Sequence, residues 1–375
     1  MRVLHLTSHL NAGGVTSSVL TVASRLRARG HTVAIASDDG ALKERVSESG
    51  CAWWRMPLAT SAEFSPRLWR ARSLLFKRLK EERMDVMHAH TRVAQVLAAS
   101  LSRKIGIPYV TTWHGFFRPN LGRRLWPCTG LRTIAISEPV RDHLMRDFGM
   151  QQDRIRVIPH GIDADLFRPT TDAASIARLR AGFGLTGQGL VVGTITRLIR
   201  SRQIDQLIRT WPKVAQAFPR AQLLIVGDGE DRSRLVDLAK TLTDAHSIKF
   251  VPAVSVTREA LSVIDVFAFL PADKEGFGLI LLEAMAAGRA IVSVKRGGGS
   301  SWLLEESKVG RLVAPDDPDA LSAMLIALLS DSKSREILGQ AAEALVRERY
   351  AVERMMDAIE SVYGEVVQTR EAAQK

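Results

Sequence analysis

The chain has 375 residues, of which 46% are hydrophobic and 25% charged, a composition that excludes a disordered or fibrous protein and favours two globular domains. No apolar run approaches the roughly 18 residues of a membrane span, and the N-terminus lacks a cleavable signal pattern. The two cysteines are too few for a disulfide framework. We therefore expect a cytoplasmic protein. The net charge of +12 lies wholly in residues 1–168, with 26 Lys+Arg against 14 Asp+Glu; without a zinc-finger or RNA-binding aromatic motif, this basic half favours an anionic membrane surface over nucleic acid.

Apolar runs rich in Val, Ile and Leu alternate with amphipathic stretches of helix length, which is the pattern of parallel β-α-β units. The predicted strands of the first half are Arg2–Thr7, His31–Ala36, Asp85–Ala89, Tyr109–Thr112, Thr133–Ile136 and Ile155–Ile158. Those of the second half are Leu190–Ile195, Ala221–Val226, Ile248–Val251, Val266–Leu270 and Ala290–Val294. Helices are predicted between them, and both halves are therefore expected to be doubly wound α/β layers.

A polar stretch at 168–189 interrupts this rhythm and predicts a domain boundary. We divide the chain into an N-terminal domain, 1–168, and a C-terminal domain, 169–349. The last amphipathic pattern, 350–375, predicts a helix that packs back toward the first domain.

The first predicted strand is followed by Gly13-Gly14 and a helical pattern. Paired glycines allow a backbone to approach a ligand closely, and Thr16 or Ser17 is expected to cap the helix. No third glycine completes a dinucleotide-binding fingerprint. A tight turn without a ligand is the alternative interpretation.

The strand at Tyr109–Thr112 is followed by Trp113, His114 and Gly115. Ligands of open parallel sheets bind at the carboxyl ends of strands, which predicts a functional role for His114. The histidines in other contexts are interpreted as structural residues: His5, His9, His88 and His90.

A basic loop follows the first strand of the second half. Arg197 and Arg202 stand five residues apart, and guanidinium groups bind phosphate oxygens in a bidentate manner, so we predict a diphosphate clamp. A solvated basic loop is the alternative. The Asp-x-Asp triplets at 163–165 and 317–319 lie in turns, and we predict no metal site in the chain.

The segment 275–288 carries two carboxylates. Glu275 lies in a loop just before a glycine turn, and Glu283 lies within the apolar helix that follows. The helix N-terminus attracts phosphate through its free N–H groups and dipole, while carboxylates accept hydrogen bonds from sugar hydroxyls. This combination favours a nucleotide-sugar ligand.

Taken together, these motifs resemble the family-4 retaining glycosyltransferases of the GT-B fold, over residues 1 to about 367. The segment from Glu275 to Gly288 resembles the Glu-x7-Glu signature of that family, and Arg197 with Arg202 resembles its diphosphate clamp. The resemblance implies two Rossmann-like domains facing a central cleft, with a C-terminal helix crossing back to the first. It also implies metal-independent transfer with retention, without a cofactor other than the nucleotide-sugar co-substrate.

Carried over to this chain, the family pattern implies that His114 and Glu275 face the reacting sugar and that Glu283 binds the ribose. Donor binding is implied for a further set of residues: Gly14, Arg197, Arg202, Gly276, Phe277, Gly278 and Leu279. The chain departs from the family pattern in several places: Thr16, His160, Arg202 with Gln203, and Trp302.

We therefore expect a hexosyltransferase that moves a hexose or N-acetylhexosamine to a lipid-linked or cell-envelope glycan acceptor. The helix predicted at 66–82 adds cations and aromatic residues to the basic half, which favours peripheral contact with an anionic membrane, although an ordinary sheet-covering helix explains its apolar stripe. A transferase with a small soluble acceptor is the alternative. A nicotinamide dehydrogenase and a non-catalytic nucleotide-sugar-binding protein are alternatives of a different class.

Overall fold

The computed structural model describes residues 1–63, 65–119, 121–254 and 256–374, and the chain divides into two compact units. Unit 1 comprises Met1–His160 together with the segment that begins at Glu353, and unit 2 comprises Gly161–Val352. The division at His160 precedes the predicted boundary at 168/169, because Ile162 N–H donates to the Tyr350 carbonyl (2.9 Å) and so joins unit 2. Lys375, the last residue of the predicted terminal helix, lies outside the described residues.

Unit 1 contains a parallel sheet of seven strands in the order β3-β2-β1-β4-β5-β6-β7. The strands are β1 (Arg2–Leu6), β2 (Thr32–Ser37), β3 (Ala52–Arg55), β4 (Val86–Ala89), β5 (Tyr109–Trp113), β6 (Arg132–Ala135) and β7 (Ile155–Val157). Because β1 and β4 lie side by side at the centre, both of their faces are covered by helices and their residues are almost all buried.

The helices of unit 1 are α1 (Gly14–Ala28), α2 (Lys43–Glu48), α3 (Pro66–Glu81), α4 (Arg92–Ile105), α5 (Leu121–Leu125), α6 (Glu138–Phe148) and, from Glu353 onward, most of α15 (Val352–Gln374). The terminal helix is held in unit 1 by charge and by packing. Arg29 forms ion pairs with Asp357 (2.6 Å) and Glu360 (2.5 Å), and the fully buried Tyr363 bonds to His88.

Unit 2 contains a six-stranded parallel sheet in the order β10-β9-β8-β11-β12-β13. The strands are β8 (Val191–Ile195), β9 (Gln222–Val226), β10 (Ile248–Val251), β11 (Val266–Phe269), β12 (Ala290–Val294) and β13 (Arg311–Val313). The helices are α7 (Ala173–Gly182), α8 (Ile204–Ala217), α9 (Arg232–Lys240), α10 (Thr257–Val263), α11 (Leu279–Ala286), α12 (Gly298–Ser307), α13 (Pro318–Ser330) and α14 (Ser332–Arg349). The fully buried Trp211 anchors α8 in the core, where its indole N–H donates to Ser247 Oγ at 2.7 Å.

The α/β architecture predicted from the sequence is confirmed, with five elements added. The strands β3 and β13 and the helices α5, α12 and α14 have no counterpart among the predicted elements. The predicted cap of α1 is wrong, because the helix begins at Gly14 and Gly13 precedes it without any side-chain cap. Among the described residues, none of the helices combines the length and apolar character that a membrane crossing requires.

Candidate active site

The predicted site residues are distributed over both units. Gly14 and His114 lie in unit 1. The others lie in unit 2: Arg197, Arg202, Glu275, Gly276, Phe277, Gly278, Leu279 and Glu283.

Arg202 and Glu275, which are distant in the sequence, form an ion pair in unit 2. Arg202 ends the short turn between β8 and α8, and its Nη1 lies 2.5 Å from Oε2 of Glu275 in the loop between β11 and α11. The two side chains are only 15% and 19% exposed. Water and salt therefore screen this pair less than they screen a surface pair.

The backbone on either side of this ion pair is strained. Gln203, which follows Arg202, has φ 48, and Lys274, which precedes Glu275, has φ 55. A non-glycine residue in this left-handed region costs about 1–2 kcal/mol. Such outliers collect at ligand-binding and catalytic sites, where the surrounding structure holds them in place.

The loop that carries Glu275 is fixed against the N-terminus of α12. Gly299 N–H donates to the Glu275 carbonyl at 2.8 Å. A Cβ atom on Gly298 would lie 2.4 Å from the same carbonyl oxygen, and Gly298 has φ +75. Only glycine satisfies both conditions, so the close approach of the two segments depends on Gly298.

The start of α11 offers backbone donors beside Glu275. Gly278, at φ 93, precedes the helix without a side-chain cap, and Leu279 is its first residue. The first N–H groups of a helix have no intrahelical partner and point toward its positive dipole end. Phe277 is 1% exposed and packs near Tyr350 (ring centroids 5.7 Å), so its ring holds the loop in place.

Glu283 lies on α11 and accepts a hydrogen bond from Thr257 Oγ1 at 2.6 Å. Burial raises the pKa of its carboxyl group to about 7, and the Thr257 bond acts in the opposite direction. At neutral pH both protonation states are populated. Glu283 can therefore accept a hydrogen bond from a ligand hydroxyl or donate one to a ligand oxygen.

The two members of the predicted arginine clamp differ in their surroundings. Arg202 is committed to Glu275, whereas Arg197 is exposed and has no ion-pair partner within the described ranges. An incoming anion can bind Arg197 without displacing a protein group. It must share Arg202 with Glu275.

In unit 1, the start of α1 and the end of β5 come together through His160. His114 follows β5, and its ring stacks on His160 with centroids 5.5 Å apart and an interplanar angle of 16°. Nδ1 of His160 lies 3.3 Å from Ser18 Oγ, in the first turns of the helix that begins at Gly14. His114 therefore belongs to a polar cluster with His160 and Ser18, and Gly14 begins the helix that carries Ser18.

Sequence reasoning missed several residues that hold this site. Thr257 gave no signal, because a single threonine at a helix start is common. Gly298 stood in a visible run of three glycines, and its close approach follows only from the fold. His90, interpreted as structural, contacts His114 directly, with Nδ1 3.2 Å from Nε2.

Comparison with known sequences divides the chain at a similar place to the fold. Residues 12–166 match the sequence model of Glycosyltransferase Family 4, and residues 175–345 match that of the Glycosyl transferases group 1.

Two named relatives cover most of the chain. It is 33% identical over 367 residues to phosphatidyl-myo-inositol mannosyltransferase of Mycobacterium tuberculosis, covering 89% of each protein. It is 25% identical over 309 residues to N-acetyl-alpha-D-glucosaminyl L-malate synthase of Bacillus anthracis, covering 77% of this chain and 76% of that one.

Solved structures share the fold. A glycosyltransferase from Rickettsia africae superposes with a TM-score of 0.87 at 18% identity, covering 98% of both chains. HepE of Anabaena, in complex with UDP-glucose, superposes with a TM-score of 0.83 at 22% identity, covering 97% of this chain and 100% of that one. These likenesses show the two-domain, Rossmann-like GT-B architecture.

Proposed function

Since the chain belongs to the family-4 glycosyltransferases, we propose that it transfers a hexose or N-acetylhexosamine from a nucleoside-diphosphate sugar to a hydroxyl group of a lipid-linked or cell-envelope glycan. The transfer retains the anomeric configuration and needs no metal ion. Membership of this family removes the reason to consider a nicotinamide dehydrogenase.

The observation that carries the proposal is the shielded Arg202–Glu275 pair between two strained residues and beside the N-terminus of α11. In the proposed complex, Arg197, Arg202 and the first N–H groups of α11 bind the diphosphate. Glu275 accepts hydrogen bonds from the donor sugar, and Glu283 bonds to the ribose. The pair thus places one positive and one negative group where a diphosphate joins a sugar.

The chemistry follows from these charges. The bond between the anomeric carbon and the phosphate oxygen breaks, and the acceptor oxygen bonds to the same face of that carbon. The acceptor proton passes to an oxygen of the departing diphosphate. Positive charge develops on the sugar and negative charge on the leaving group, so guanidinium groups and backbone amides stabilise the transition state.

The donor is tested first by isothermal calorimetry and thermal shift with uridine, guanosine and adenosine diphosphate sugars. A ligand at about 100 times its Kd stabilises the protein by about 2.7 kcal/mol, which gives a clear shift. Activity that persists in excess EDTA supports metal independence. NMR of the anomeric proton in the product checks retention. Failure of all three donor classes to bind would overturn the proposal.

The acceptor proposal depends on one surface of unit 1. The apolar stripe of α3 faces inward, as Leu68, Leu75 and Leu79 are buried, which confirms that α3 covers the sheet. Yet Trp69 on the same helix is 65% exposed, and Leu121 and Leu125 of α5 are 73% and 76% exposed. Large apolar side chains exposed to this degree suit insertion into a lipid interface.

The α3 and α5 parts of this surface are adjacent. Trp69 and Trp126, which follows α5, line one small cavity of about 110 Å³. Arg92, whose guanidinium donates to the Trp126 carbonyl (2.9 Å), also pairs with Glu63 at 2.8 Å. Exposed cations lie on α3 and on or shortly before α5: Arg67, Arg70, Lys77, Arg78, Lys80, Arg118 and Arg124. The named relative that acts on phosphatidyl-myo-inositol supports an acceptor at a membrane.

Co-sedimentation with vesicles tests the surface. We expect binding to vesicles that contain anionic lipid, weaker binding to neutral ones, and loss of most binding in Trp69→Ser with Leu121→Ser. The matched control is Ile337→Ser, which removes an apolar residue 56% exposed on α14 of unit 2. Equal binding by both variants, or none by the unmodified protein, would contradict the membrane proposal.

A small soluble acceptor is the second candidate. It is favoured by the relative named N-acetyl-alpha-D-glucosaminyl L-malate synthase, since malate is a small water-soluble molecule. Transfer to free hydroxy acids or sugars at full rate without vesicles would establish it.

A further inference from the structure

Three histidines of unit 1, two of them buried and one partly exposed, are joined in series by hydrogen bonds. His5 Nδ1 lies 2.9 Å from His90 Nε2, and His90 Nδ1 lies 3.2 Å from His114 Nε2. The series begins inside β1 at the centre of the sheet and ends at His114, beyond the end of β5. We call these three residues the histidine chain.

The nitrogen at each end of the histidine chain lacks a hydrogen-bond partner among the described residues. These two atoms, His5 Nε2 and His114 Nδ1, are also inaccessible to solvent. His5 is 0% exposed, whereas the His114 ring is partly exposed. A ligand can therefore reach the histidine chain only at its His114 end.

The bonds make the tautomers of the three rings interdependent. A neutral imidazole has one N–H donor and one bare nitrogen acceptor. Because each bond joins an Nδ1 to an Nε2, a proton on His5 Nδ1 requires one on His90 Nδ1 and another on His114 Nδ1. The opposite arrangement places all three protons on Nε2. Any mixed arrangement breaks a bond.

The surroundings keep these rings neutral. Burial lowers the pKa of His5 to about 3 and lowers the pKa values of His90 and His114 well below the ordinary value, with neighbouring imidazoles adding to the effect on His90 and His114. Uncharged hydroxyl groups from other elements bond to two neighbouring histidines: Tyr363 and Thr112 to His88, and Ser18 to His160.

A metal ion fits these residues less well than a hydrogen-bond chain does. His5, His88 and His90 bring their nitrogens within 4.8 Å of one another. Both nitrogens of His88 already bond, to Tyr363 OH (2.6 Å) and Thr112 Oγ1 (2.7 Å), and His5 is bonded to His90. A divalent ion would have to break these bonds in a buried place with no carboxylate among its three ligands.

We propose that His90 and His5 are positioning residues that fix the ring orientation and tautomer of His114, the member of the histidine chain that a substrate can reach. The assignment of the substrate as a donor sugar rests on the proposed function. The coupling of the tautomers does not.

The tautomers can be read directly by long-range ¹H–¹⁵N NMR of the full-length protein labelled with ¹⁵N-histidine, with signals assigned by single substitutions. We expect three neutral rings with the same tautomer at His5, His90 and His114. A mixed set, a charged ring at neutral pH, or one equivalent of bound metal by mass spectrometry would each overturn the proposal.

A matched pair of substitutions separates the two bonds of His90. The amide of Asn stands near the position of Nδ1, and that of Gln near the position of Nε2. His90→Asn should therefore retain the bond to His114, whereas His90→Gln should retain only the bond to His5. We expect the His114 signals to change in His90→Gln and to stay near their original state in His90→Asn.

The turnover rates of the two His90 variants should differ in the same direction as their NMR signals. We expect kcat to fall about five-fold more in His90→Gln than in His90→Asn, in line with the loss of one hydrogen bond. His88→Gln, equally buried and outside the histidine chain, should leave the His114 tautomer unchanged. Identical His114 signals in the two His90 variants would refute the coupling. If no donor is turned over, the proposed function fails while the NMR result still decides the tautomers.

Discussion

Replacement of Glu275 by Gln is expected to change diphosphate binding and sugar transfer in opposite directions. In the free protein Glu275 neutralises Arg202 at 2.5 Å in a place where both side chains are less than a fifth exposed. Two charges about 4 Å apart interact by about 4 kcal/mol at an effective dielectric constant of about 20. Most of this is offset by desolvation, which leaves a net coupling of about 1–3 kcal/mol.

Glu275→Gln removes the competitor for Arg202 and the negative charge beside the diphosphate. We expect the free nucleoside diphosphate to bind about five- to ten-fold tighter, a gain of about 1 kcal/mol. Transfer should fall by two orders of magnitude or more, since in the proposed complex Glu275 contacts the reacting sugar. Arg202→Ala should weaken binding of the diphosphate by about 1.5–3 kcal/mol, the usual contribution of a hydrogen bond to a charged group.

Isothermal calorimetry with the diphosphate alone, beside steady-state kinetics with the full donor, measures both quantities. Arg209→Ala is the control, because Arg209 is an exposed arginine on α8. Weaker diphosphate binding in Glu275→Gln, or unchanged binding in Arg202→Ala, would refute the reasoning from the ion pair.

Three further predictions concern stability and are measured by urea unfolding. The pKa of Glu283 is about 7 in the folded protein and 4.5 in the reference state, so between these values the folded protein keeps a proton that the unfolded chain releases. The free energy of unfolding should therefore fall by about 2–3 kcal/mol as the pH rises from about 5 to 7. Glu283→Gln should remove this pH dependence. Gly278→Ala should cost about 1–3 kcal/mol, because φ is +93 and the new Cβ would lie 3.0 Å from Phe269 Cζ. Tyr363→Phe should cost about 1–2 kcal/mol by leaving His88 Nδ1 without its partner.

The sequence predicted the architecture because parallel strands buried on both faces leave continuous apolar runs between amphipathic helices. The missed elements lack such runs. β13 has only three residues, and β3 is an edge strand in which two residues are exposed. The helix α12 begins in a run of glycines, which ordinarily predicts a loop. The apolar positions of α14 were present in the sequence, at Leu338, Ala342 and Val346, and were not interpreted as a helix.

For the site, residue types were predictable and partnerships were not. Arg202 and Glu275 could be named from local pattern, but their pairing depends on the order β8-β11 in the sheet. The histidine chain is a stronger case. His114 was predicted from its position, but His5 and His90 gave no signal, and only the pairing of β1 with β4, and of β4 with β5, brings the three together.

The course of the chain makes unit 2 an insertion into unit 1. The chain leaves unit 1 after His160 and rejoins it at Glu353. Inside unit 2 the two ends meet, since Ile162 bonds to the Tyr350 carbonyl at 2.9 Å and Val352 N–H returns a bond to Ile162 at 3.0 Å. Residues 161–352 therefore form a closed segment with adjacent termini, whereas unit 1 is completed only when α15 has been synthesised. During translation unit 2 can fold before unit 1, which carries His114, is complete.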